Sequence, residues 1–186
     1  MTRQSRYDAL VDALRVEFPR FRIVEKRDSP LHRAIHVALR VITLGKMTNY
    51  LESYQTTIGS TVYVTSDWLA RDADERYVVL RHEAVHLRQF RRWTLPGMAF
   101  LYLLVPLPLG LAWFRARFEQ EAYAESIRVA AELWGKDHVR AGRFRAHIIA
   151  QFTGPSYGWM WPFPRALEGW YERILATIPD TLGTAH

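Results

Sequence analysis

The sequence predicts a predominantly helical α+β domain extending over residues 1–186, with a small β-sheet. Three observations predict it. Apolar residues recur at helical spacing through most of the chain, while only two short segments alternate or concentrate β-branched residues. A hydrophobic content of 49% in 186 residues is enough for one core. No repeat, low-complexity tract or Pro/Gly/Ser-rich linker divides the chain.

Each element has its own signal. Tyr7, Leu10, Val11, Leu14 and Phe18 fall on one face of a helix that Pro19 ends. Phe21 to Glu25 alternates as a short strand. Leu31, Ile35, Leu39 and Ile42 predict a second helix, opened by Ser29-Pro30 and closed near Gly45. The segment from Thr56 to Thr65 is rich in β-branched residues, and Gly59 turns it into two short strands. Asp72-Ala73-Asp74-Glu75 has the form of a capping box and opens a helix to about Trp93, where Pro96-Gly97 interrupts. Further helices are expected from about Arg115 to Trp134, stopped by Gly135, then from Asp137 to Phe152 and from Arg165 to Ile178. Thr153 to Pro162 is an aromatic loop.

Composition narrows the chemistry. The absence of cysteine excludes disulfides, thiolate metal sites and cysteine nucleophiles, so any metal must be held by His and carboxylates. The net charge of +6 comes from small arginine groups such as Arg88, Arg91 and Arg92. None forms a long basic run, and no specific nucleic-acid partner is predicted. The first residues lack a secretory-type apolar core, which gives a cytoplasmic expectation.

Leu95 to Phe114 is a stretch of twenty residues without a charge. That approaches the length of a bilayer span, ~20 residues. Pro96, Pro106 and Pro108, with Gly97 and Gly110, would break a single helix, and arginines flank both ends. The stretch is expected to fold back as a hairpin. Either it is buried in the protein, or it dips into one leaflet and makes the protein membrane-associated.

The chemically specific segment is His82-Glu83-Ala84-Val85-His86. Residues four apart lie on one helix face, so both imidazoles can aim at one metal ion. Glu83 projects about 100° from His82. That places it beside the metal, where it can take a proton from a water whose pKa the metal lowers towards ~7. Apolar neighbours make this helix substantially buried, and two buried imidazoles beside a carboxylate need partners. A catalytic zinc needs three protein ligands and one open position. No third histidine follows closely in sequence, which leaves the acidic segment Phe118 to Glu125 as the source.

Here the chain resembles the gluzincin branch of zinc metallopeptidases, in which H-E-x-x-H is completed by a Glu on a later helix. The resemblance implies a zincin-like fold with the motif on its active-site helix. Aligning Glu119-Gln120-Glu121-Ala122-Tyr123 with the family's E-x-x-A-D pattern implies Glu119 as third ligand. Tyr123 then occupies the position of the family's Asp, which orients a ligand histidine. A second register, Glu121 to Glu125 on E-x-x-x-D, makes Glu121 the runner-up. The family also runs a substrate-pairing strand above its zinc, and Ser60 to Thr65 is the candidate. Tyr157 and His147 are candidates to steady an oxyanion. His32 and His36 are also four apart, but without a carboxylate in the motif position they suit a structural role.

The expected activity is hydrolysis of a peptide bond in a peptide or protein substrate. One Zn2+ would be held by His82, His86 and Glu119, with Glu83 as general base. Two alternatives stay open: a non-catalytic zinc-binding scaffold or interaction protein, and a basic nucleic-acid-associated protein.

Overall fold

A computed structural model describes residues 2–30, 32–33, 55–99, 113–154, 161 and 163–180. It is mostly helical with a small three-stranded sheet, an α+β arrangement. The chain falls into two compact units, Met1–Phe90 and Arg91–His186.

The first unit opens with helix α1, Arg3–Glu17, capped by the Thr2 side chain accepting from the Ser5 N–H at 3.1 Å. Strand β1, Arg22–Glu25, follows and runs into a 3-10 turn at Lys26–Asp28. Strands β2, Thr56–Ile58, and β3, Thr61–Val64, form an antiparallel hairpin. Gly59 sits in its turn at φ +60°, a left-handed conformation that glycine adopts without steric cost. The sheet order is β1-β3-β2, with β1 parallel to β3. Strand β3 is therefore paired on both sides, which corrects the expectation that Ser60 to Thr65 could take up a substrate strand: its ladder has no open edge.

Helix α2, Ala73–Trp93, carries the histidines. Its Leu80, Ala84 and Leu87 enter a core with Tyr7, Val11 and Leu14 of α1, Val62 and Val64 of β3, and Trp68. The two helices are also clamped by charge. Arg6 meets Asp74 at 3.2 Å, and Arg88 grips Glu17 through two nitrogens at 3.0 and 2.7 Å.

In the second unit, Thr94 takes φ +61° directly after α2, and helix α3, Leu95–Ala99, begins there with Pro96 in its first turn. The break thus falls just before the proline. Helix α4, Trp113–Trp134, ends where Gly135 at φ +88° returns its N–H to the Ala131 carbonyl at 2.9 Å. Helices α5, Lys136–Arg140, α6, Gly142–Thr153, and α7, Pro164–Thr177, complete the unit. Ile127, Ala130 and Ala131 of α4 pack with Val139, Ile148, Phe152, Leu167 and Tyr171.

The single helix expected from Asp137 to Phe152 is two. In one straight helix Val139 and Ile148 would point about 180° apart. The bend at Ala141, with ψ 131°, lets both enter the same core.

The expected helix over Leu31 to Ile42 lies outside the described residues after Arg33, as does Phe100 to Ala112 of the apolar stretch. The rings of Trp93 and Phe118 lie 6.3 Å apart between centroids. Those two residues flank the stretch and lie too close for a single crossing, which would separate them by a bilayer core of ~30 Å. Among the described residues no helix is long and apolar enough to cross a membrane.

Candidate functional site

Helix α2 is fixed at its start by Asp72, whose Oδ1 accepts the Asp74 N–H at 2.8 Å. At 100° per residue its core face is centred on Leu80, Ala84 and Leu87. His82, His86 and Gln89 form a separate face, and Glu83 falls between the two. All four polar residues are buried.

The two imidazoles converge as their spacing predicts. His82 Nε2 and His86 Nε2 face each other at 3.2 Å, with ring planes at 72°. On the far side of the His86 ring, Nδ1 is 2.9 Å from Gln89 Oε1. Both histidines thus present the same nitrogen to a common point.

Glu83 is held from the sheet. Thr57 of β2 donates its hydroxyl to Glu83 Oε2 at 2.7 Å. Lys26, fully buried just after β1, is the second neighbour. Burial lowers its ammonium pKa from 10.5 to about 8, and the Glu83 charge opposes that shift. His32 is buried behind Lys26, its ring 4.2 Å from that of Tyr63. Burial first, and the Lys26 charge second, push its pKa down to about 4, so it is neutral at physiological pH. An aromatic contact inside the fold suits the structural role expected for His32; His36 lies outside the described residues.

Lys26, Thr57 and Gln89 were not singled out by the motif. Gln89 could have been found, because it stands one helical turn beyond His86 on the same face. Thr57 and Lys26 reach Glu83 from segments distant in sequence, and no local pattern marks them.

In the second unit, α4 separates the two acidic candidates. Glu119 is 2% exposed. Glu121 lies about 200° around the helix, on an exposed stripe with Arg117, Arg128 and Glu132. Tyr123 is turned into the apolar core, its ring 5.4 Å from that of Phe152. His147 is exposed on α6, and Tyr157 lies outside the described residues.

No protein-family model, curated protein or solved structure matches this chain.

The donor types fit a divalent transition ion. Neutral imidazole nitrogens and a carboxylate oxygen are zinc's ordinary ligands in proteins without thiolates.

Proposed function

We propose that the chain is a zinc-dependent peptidase of zincin type, with His82, His86 and Glu119 as metal ligands and Glu83 as general base. The observation that carries the reading is the pair of facing Nε2 atoms, 3.2 Å apart on a buried helix face beside a buried glutamate. His82, His86 and Glu119 together offer two ring nitrogens and one carboxylate oxygen, all from buried residues. The exposure of Glu121 favours Glu119 in the third place.

When bound, zinc lowers the pKa of a water and polarises the substrate carbonyl. The protein's own groups do the rest. Glu83 takes the proton from the attacking water and passes it to the departing amine. Thr57 holds one oxygen of that carboxylate. Strand β2 carries Thr57 at the edge of the three-stranded sheet, so an extended peptide added along β2 would lie beside the base.

The same contacts favour a second reading. A glutamate held by a threonine hydroxyl and a buried lysine also suits a structural polar cluster, with any metal serving a non-catalytic scaffold. Glu83→Gln separates the two. The peptidase reading predicts loss of hydrolysis by at least about 100-fold, the general acid–base contribution, with fold and zinc content retained. Peptide cleavage at an unchanged rate in the variant would sink it, as would no cleavage of a diverse peptide library by the zinc-loaded wild type.

A further inference from the structure

We infer that Gln89 is the positioning residue that sets the tautomer of His86. The inference rests on the metal-ligand reading of His82 and His86. Neutral imidazole carries one proton, on either Nδ1 or Nε2, and only the bare nitrogen can bind a metal. Gln89 presents its carbonyl oxygen to His86 Nδ1 at 2.9 Å. A carbonyl oxygen can only accept, so the proton sits on Nδ1 and Nε2 is the nitrogen that carries none.

The facing imidazole completes the assignment. His86 Nε2 lies 3.2 Å from His82 Nε2. With His86 bare at that position, His82 supplies the N–H between them. In the metal-free protein His86 is therefore already in its ligating tautomer. His82 must move its proton to Nδ1 before it can bind, so the two histidines of one motif play unequal parts.

The position of Gln89 explains why it can do this. It is one turn beyond His86 on the same buried face, 5% exposed, where a misplaced amide would be costly to leave unsatisfied. An outer group that fixes a ligand histidine typically contributes 10–100-fold in metal affinity.

The test uses the full chain, labelled with 15N and freed of metal, at one neutral pH. Long-range 1H–15N correlation reads each histidine's tautomer, and chelator competition reads the zinc Kd. His86 should be protonated on Nδ1 and His82 on Nε2 in the wild type. Gln89→Met, which keeps the side-chain length and removes the acceptor, should move His86 towards the Nε2–H form and weaken zinc binding 10–100-fold. Gln89→Glu, which restores an acceptor, should recover the Nδ1–H form. An Nε2–H tautomer at His86 in the wild type overturns the inference, as does a Gln89→Met protein with unchanged tautomer and affinity. If Gln89→Met does not fold, the wild type and Gln89→Glu spectra still decide it. Failure of the wild type to bind zinc would instead refute the metal reading, while the tautomers of the metal-free protein would still show whether Gln89 orients His86.

Discussion

A lysine with no exposed surface is held close enough to Glu83 for the two charges to interact, and its cost should be visible in stability. Lys26 has a folded-state pKa of about 8 against 10.5 for the ordinary side chain. Between those values the unfolded chain binds more protons than the folded one, so stability should rise as pH rises through that window. The rise should reach up to about 3 kcal/mol, and a Lys26→Met protein should lack it. His32 acts in the same direction at lower pH. Its folded value of about 4 lies below the ordinary 6.5, so stability should also climb from pH 4 to 6.5, and His32→Phe should flatten that part of the curve. Urea titrations at stepped pH check both. Among the described residues this cluster includes Lys26, Glu83, His32 and Tyr63. At this scale the sequence is legible where chemistry is local: His82, Glu83 and His86 are three fixed offsets on one helix. It is illegible where the partner arrives from another segment, as Thr57 and Lys26 do.

Elements are readable when their stop signals are steric. Pro19 after α1, Gly59 between β2 and β3 and Gly135 after α4 all lie where the chain turns, because each changes the allowed backbone angles. Gly59 has open space around the position of a Cβ, so Gly59→Ala should destabilise through its φ alone, by about 1–2 kcal/mol. Gly59→Asn should recover much of that loss. Asp72→Ala should remove the cap of the histidine-bearing helix at a cost of ~1 kcal/mol. Chemical denaturation of the three variants measures all of these. The bend at Ala141 was not readable in the same way. Alanine is a strong helix former and Gly142 beside it only a weak stop signal; the bend lets Val139 and Ile148 share a core, a tertiary demand. The pairing of β3 on both sides is likewise a property of the sheet, since β1 returns to it from more than thirty residues earlier in the chain.

For the molecule as a whole, each unit buries its own apolar cluster. The mostly helical α+β class was legible because periodicity adds up over many residues. Burial of Glu119 rather than Glu121 was less so. Both lie in one acidic segment, and only the rotation of α4 against its neighbours distinguishes them. Charge gave the least guidance, since the 25 basic and 19 acidic residues form no long run of either sign. The proposed function stands or falls on whether His82, His86 and Glu119 hold one zinc ion. An anomalous-difference map decides this, recorded on both sides of the zinc edge from crystals of full-length protein purified without chelator and supplied with zinc. One strong peak is expected within about 2.0–2.2 Å of both Nε2 atoms and of a Glu119 oxygen, with a fourth position not filled by protein. A map with no peak there, with the two imidazoles still facing each other across a hydrogen bond, would refute the zinc site.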